Sequence, residues 1–323
     1  MHKLIILLIL TILLASMTIT TNIIITKGLR INLYATRTID GDPSDWVGIP
    51  PSTDNNYTYS NGEWIWRDAV NDVQDVPNVD ITGADITEIR VTSNSTHLFL
   101  LIKFSNLTSL GQSGEPGIFI TIDIDHTTGS GNNDFAYASE TYVASSGDAN
   151  WERQIVICLS VSTVADGVLI HGDGVTVSNG GSPLDILDTQ YNDVSSVNSV
   201  FAASSVYNTV EAAIAWSDLG IDPSVYFANG NYLRIEVITT GMDSNGLVIE
   251  YLGPTGSDPT VSDAVDAMSL LTTPQEVSDN NVDYYADILF TNDPTPAPEN
   301  GVLIALVFII TIIIVIIKLL YKT

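Results

Sequence analysis

Carboxylates set among asparagines and glycines are the residues of this chain best placed to do chemistry, and the chemistry they suit is cation binding. Calcium takes about six to eight oxygens from carboxylates, amide oxygens and backbone carbonyls. The run Asp123-Ile-Asp125-His-Thr-Thr-Gly129-Ser-Gly131-Asn-Asn-Asp134 puts acids at the end of an apolar stretch, before a glycine-punctuated loop. Asp123 and Asp125 alternate, so in a strand both point to one face. No Glu stands at the twelfth position of this run, so it is not an EF-hand loop. A second group comprises Glu63, Asp68, Asn71, Asp72 and Asp85. The competing reading of both groups is a set of turns with solvated acids, because Asp and Asn favour turns.

Aromatic side chains are the second resource. Saccharide rings stack on exposed aromatics, and Trp64 and Trp66 lie two apart, on one face of a strand. Trp151, with Tyr137 and Tyr142 nearby, is a further candidate, while Trp46 and Trp216 fall in phrases that read as core. The alternative for every one of them is burial, the usual place for tryptophan in a sandwich. Other chemistries find little support. Met242, Met268, His97, His126 and His171 show no spacing that singles out a haem pair, and the sequence predicts no haem. Scattered histidines and one cysteine make no zinc motif. No nucleophile elbow, zincin helix or phosphate loop is present, so neither a nucleotide cofactor nor a catalytic role is expected.

The elements that would position these groups read as β. Short runs rich in Ile, Val, Thr and Tyr recur between turn residues: 86–92, 97–104, 118–124, 154–161, 168–170, 210–215, 232–239 and 284–290. A short helical turn is expected at Trp216-Ser-Asp-Leu219, ended by Gly220. Many short strands without βαβ alternation predict an all-β fold, an antiparallel β-sandwich, over 38–290. The Gly-, Ser- and Asp-rich stretch from Gly172 to Asn198 reads as a long surface excursion. Cys158, alone in the chain, reads as a buried hydrophobe.

Both ends are apolar. Residues 1–35 hold a basic start and an apolar run that reads as a signal peptide, with an uncleaved anchor as the competing reading. Residues 291–300 form a Pro-rich stalk. The uncharged run from Gly301 to Ile317 predicts a transmembrane helix within 301–320, and Lys318 and Lys322 place the tail, 321–323, in the cytoplasm. The 38 acidic residues all lie between Asp40 and Glu299, where only five Lys or Arg oppose them. Such a surface repels nucleic acid and attracts cations. Sequons at Asn56, Asn94 and Asn106 fit a glycosylated exterior.

Three phrases, in order, carry a family resemblance. Ile39-Asp-Gly-Asp-Pro-Ser-Asp-Trp46 resembles the opening strand of family 9 carbohydrate-binding modules and their DOMON-like relatives. Glu211-Ala-Ala-Ile-Ala-Trp-Ser-Asp-Leu-Gly220 resembles their late E-x-x-I-P-W-x-x-L-G phrase, with Ala215 where the family has proline. Between them, Gly62–Asp72 and Asp85–Val91 look like the glucodextranase C-terminal-type branch of cell-surface glycan-degrading enzymes. The resemblance implies a sandwich with structural calcium, Glu63, Asp68, Asp72 and Asp85 matching the calcium-binding branch. In some members it also implies saccharide binding. The expected role is then a non-catalytic cell-surface module for polysaccharide or envelope glycan, the alternative being a structural envelope component that self-associates laterally.

Overall fold

The computed structural model describes residues 31–32, 36–108, 110–135, 141–160, 168–172, 184–243, 247–249, 252–253, 256–257 and 262–291. The N-terminal apolar run, the stalk from residue 292 on, the apolar run 301–317 and Tyr137 lie outside them. Among the described residues no helix is long and apolar enough to cross a membrane.

The strand His97–Phe104 shows how composition selects the architecture. Its reading HLFLLIKF is almost continuously apolar, and both of its faces are covered. Leu98, Leu100, Ile102 and Phe104 face the main core, while Phe99 and Leu101 pack under Trp46 on the opposite side. It lies at the centre of a seven-stranded antiparallel sheet. The order is Asn56–Ser60, Glu63–Arg67, Ile86–Ser93, His97–Phe104, Thr209–Ala215, Val200–Ser204 and Val168–Gly172.

The second sheet, also antiparallel, runs Leu184–Leu187, Arg153–Cys158, Pro116–Asp123, Leu233–Gly241 and Ala264–Ala267. Ala286–Ile288 pairs with the other half of Leu233–Gly241. Ile118, Ile120 and Ile122 alternate into the core shared with the first sheet. Phe119 points the other way, into a smaller cluster with Phe135, Val143, Val277 and Val282. Two sheets around one apolar layer make the chain an antiparallel β-sandwich.

The first hairpin is set by its turn. Asn61 and Gly62 both take positive φ (50° and 79°) and join Ser60 directly to Glu63. A two-residue Asn-Gly loop of this hand matches strand twist. Directly opposed residues share a face, so Tyr57 and Tyr59 stand beside Trp66 and Trp64 on the inner side.

The two resembling phrases meet. Glu211 accepts hydrogen bonds from the backbone N–H of Asp40 (3.2 Å) and Gly41 (2.7 Å) and from Trp46 Nε1 (2.7 Å). The 39–46 segment is thereby strapped across the outer face of the first sheet. Burial pushes the Glu211 carboxyl up to about 7 despite these donors. Trp216 donates to the Asn94 carbonyl and packs on Phe227 and Phe290.

One expectation is corrected here. The stretch from Gly172 to Asn198 is not purely a surface excursion, since Leu184–Leu187 is a fully buried strand pairing with Arg153–Cys158. The segment 216–220 is a turn, and a short helix follows at Pro223–Tyr226.

Candidate functional site

Three aspartates converge where the two sheets meet, and a fourth, Asp68, lies beside them. Asp68 follows Glu63–Arg67, Asp72 lies in the next turn, Asp85 precedes Ile86–Ser93, and Asp266 comes from Ala264–Ala267 on the opposite sheet. Asp72, Asp85 and Asp266 each bring an oxygen within 4.8 Å of the others. Asp68 is close enough to Asp266 and Asp72 for their charges to raise its pKa. All four are buried.

Register shifts sit beside the group in both sheets, at Ile86/Glu88 and at Thr239/Thr240 opposite Asp266. Bulges of this kind re-aim side chains and frequent functional sites.

Electrostatically the group is incomplete. Backbone N–H groups of Ile86 and Ala267 donate to Asp266, that of Ala69 to Asp68, and that of Asn71 to Asp85. Among the described residues Asp68 Oδ2 and Asp72 Oδ1 have no hydrogen-bond partner of good geometry, and burial raises the Asp68 pKa more than the Trp66 side chain lowers it. Among the described residues no Lys or Arg pairs with any of the four. Burial, then mutual repulsion, holds Asp68 and Asp266 well above the carboxylate range, and burial raises Asp72 to about 6 and Asp85 in the same direction. Buried acids with unmet oxygens and no counter-charge are costly unless a cation joins them. An all-oxygen set suits a hard divalent ion.

Glu63 does not belong to this group. Its carboxylate is used up by Arg37 (2.9 Å), Arg90 (2.8 Å) and the N–H groups of Val47 and Gly48, on the outer face of the first sheet. It is a buried ion-pair centre, which corrects its assignment as a metal ligand.

The loop group differs in kind. Asp123 and Asp125 do come together, and their partner is Glu152. Asp134 is not among the carboxylates that converge; its backbone carbonyl instead accepts from Trp151 Nε1 (3.2 Å). Backbone and hydroxyl donors already serve much of this group. His126 N–H bonds Asp123 (2.7 Å), Thr127 N–H and Ser130 Oγ bond Asp125, and Ile124 N–H bonds Glu152. Arg234 lies 3.9 Å from Asp123. Asp125 is exposed; desolvation raises its pKa, but hydrogen bonds from Thr127 and Ser130 together outweigh it and hold the carboxyl below its ordinary value. The need for a cation is therefore weaker here than at the four aspartates.

The tryptophans are placed differently from the expectation. Trp151 is 0% exposed and edge-on to Tyr191, so it is core and no platform. Trp66 is also 0% exposed, with its ring 4.9 Å from that of Tyr284. Trp64 is buried too, yet it backs a cavity of about 170 Å3 lined by Tyr57, Trp64, Tyr284, Tyr285, Ala286 and Asp287.

The cavity lies where the edge strand Asn56–Ser60 of one sheet meets the segment leading into Ala286–Ile288 of the other. Tyr57 is 51% exposed and stacks on Trp64, centroids 6.2 Å apart at 26°. Arg234 sits over the Tyr285 ring (4.0 Å) and bonds Asp287, fixing that wall. Sequence reasoning missed Tyr57, Tyr284 and Tyr285, and also Asp266. The two-residue offset between Tyr57 and Tyr59, just ahead of the Asn61-Gly62 turn signal, was the available signal for the first. Of the sequon asparagines, Asn56 and Asn106 are exposed and Asn94 is half-buried.

No protein-family model matches the chain, and no curated protein matches it. Among solved structures, the chain is similar to a carbohydrate-binding module of family 9 from Caldicellulosiruptor kristjanssonii in complex with cellotriose. The identity is 12%, 84% of this chain and 99% of that chain are covered, and the TM-score is 0.36. A likeness at this level says nothing about the ligand of this chain.

Proposed function

We propose that this protein is a non-catalytic saccharide-binding module of the cell surface, with its ligand site in the aromatic cavity between Tyr57 and Tyr285. The observation that carries the reading is the cavity itself: four aromatic rings around a small concavity, one of them half exposed, with a carboxylate at the rim. Sugar hydroxyls exchange water for protein hydrogen bonds at small net gain, so affinity has to come from ring stacking. A volume near 170 Å3 holds roughly six waters at ~30 Å3 each, or about one sugar ring. Asp287 at the rim and the acidic surface favour neutral sugars over uronic or sialic acids.

In this reading calcium at Asp68, Asp72, Asp85 and Asp266 stabilises the fold. The unmet oxygens of Asp68 and Asp72 support it. The ion would supply positive charge, and the four carboxylates would hold it. The apolar run 301–317 would anchor the module, leaving the sandwich outside. Affinity electrophoresis of the full chain in detergent, through gels containing neutral polysaccharides, tests the binding role. Retardation in at least one gel, lost in Tyr57→Ala, is expected; unretarded migration in every neutral gel defeats it.

One observation favours the structural alternative. Among the described residues no strand pairs with the outer edge of Asn56–Ser60, which carries no charged residue, and Val47, Ile49 and Tyr57 are exposed around it. Concentration-dependent oligomers in sedimentation, without any retardation, would identify lateral assembly as the role.

A further inference from the structure

The aromatic cavity and the four aspartates are joined by one strand. Glu63–Arg67 carries Trp64 as a wall of the cavity. Two residues on, Trp66 presses on Tyr284, another wall. Asp68, two residues further, enters the acidic group.

The opposite sheet repeats the connection. Leu233–Gly241 pairs through Ile238–Thr240 with the strand bearing Asp266, and through Leu233–Ile235 with the strand bearing Ala286 and Asp287. Both the cavity and the acidic group therefore draw residues from both sheets: Glu63–Arg67 leads to both on one side, and Leu233–Gly241 pairs with the strands that serve both on the other. A hydrogen bond already ties them at the acidic end, from Ile86 N–H to Asp266 (2.6 Å).

We propose that a divalent cation held by Asp68, Asp72, Asp85 and Asp266 clasps the two sheets together and thereby sets the spacing of Tyr57 and Trp64 against Tyr284 and Tyr285. The inference rests on the reading of that cavity as the ligand site, and it names what regulates it. Without the ion, no ligand bridges Asp266 to Asp72 and Asp85 on the facing sheet, and the sandwich loosens at the margin that carries the cavity. With it, the oxygens of Asp68 and Asp72 gain a partner, and Trp66 transmits the closure to Tyr284. A ligand that needs the closed cavity binds tighter when the ion is present, and the ion binds tighter by the same factor when the ligand is present.

The test needs no sugar. Hydrogen exchange of the full chain in detergent is followed by mass spectrometry with millimolar calcium chloride and with chelator, below the metal-free melting temperature. Calcium is expected to slow exchange about tenfold or more in 56–67 and 284–290 as well as beside the aspartates. Asp266→Asn should abolish both effects while keeping a cooperative melt in chelator. If Asp266→Asn does not fold, Asp72→Asn replaces it, and the wild-type comparison stands by itself. Protection confined to 68–86 and 264–267, or no calcium-dependent protection at all, overturns the clasp. Any retained polysaccharide then gives a second readout, since equal retardation with calcium and with chelator also overturns it. Protection of the cavity strands without retention of any polysaccharide leaves the clasp supported and defeats only the saccharide reading.

Discussion

Truncating Tyr57 and truncating Trp151 should have opposite consequences. Tyr57 is half exposed on an edge strand and stacks on Trp64. Tyr57→Ala gives up the aromatic pair, about 0.5–1.5 kcal/mol. It also gives up about half of the ~1.5–3 kcal/mol that full burial of a large apolar side chain contributes. The total is about 1–3 kcal/mol, or about 2–12 °C in melting temperature for a domain of this size. If the ring is the accessible wall of a saccharide site, losing it should weaken binding by about 1–2 kcal/mol, roughly 5–30-fold in Kd.

Trp151, in contrast, is fully enclosed and donates to the Asp134 carbonyl. Trp151→Ala should cost about 3–5 kcal/mol, and so about 6–20 °C, with Kd unchanged wherever the variant is folded. Thermal melts paired with affinity electrophoresis read both quantities on the same samples. Binding that survives Tyr57→Ala but fails in folded Trp151→Ala would refute the placement of the site.

Three further outcomes are expected. At a hundredfold excess over its Kd, calcium should stabilise by about 2.7 kcal/mol, about 5–11 °C, relative to chelator; Asp68→Asn should lose that response while Asp125→Asn keeps most of it, as differential scanning calorimetry would register. Glu63→Ala should destabilise by about 1–3 kcal/mol, because it takes one of two carboxylates from the buried Arg90, which keeps Glu88 (2.7 Å), and the carboxylate partner of Arg37, yet the calcium increment measured in the same melts should be intact. In chelator, stability should fall as pH rises from about 4 through 7. Asp72 (about 6), Glu115 (about 7) and Glu211 (about 7) keep protons in the folded state that the unfolded chain releases at ordinary carboxylate values, so their contribution is complete below those values and gone above about 7. Denaturant titrations at pH 5.5 and 8 check the sign, and equal midpoints would contradict it.

The long central strands were legible because most are apolar over their whole length or alternate cleanly, as His97–Phe104 does, whereas the shorter Asn56–Ser60, Val200–Ser204 and Ala264–Ala267 were not singled out. The 39–46 and 211–220 phrases, singled out in the sequence, meet in the fold through the Glu211 hydrogen bonds. Leu184–Leu187 was hidden because four buried residues among Gly, Ser and Asp give too short a pattern to stand out.

The site was harder to read for a related reason. Asp68, Asp72 and Asp85 are near one another in sequence, but Asp266 sits in the short phrase Ala-Val-Asp-Ala, and only sheet packing brings it to them. Residue type misled in two places. Tryptophan has the most apolar area to hide, so Trp66 and Trp151 went inside, while the amphipathic tyrosines took the rim. Glu63 looked like a ligand among its acidic neighbours until its two arginine partners appeared.

Ile31–Asn32 pairs in parallel with Phe290–Thr291, so the chain enters and leaves the sandwich at the same spot. That adjacency gives the fate of the first apolar run a thermodynamic meaning. Were the run retained in a membrane beside 301–317, the sandwich would be a loop fastened at both ends, and its denatured state a ring instead of a free coil. Closing a loop of roughly 260 residues removes about 5.6 kcal/mol of denatured-state entropy by the chain-entropy relation. Cleavage ahead of Ile31 would give up that increment while leaving the pairing with Phe290–Thr291 in place.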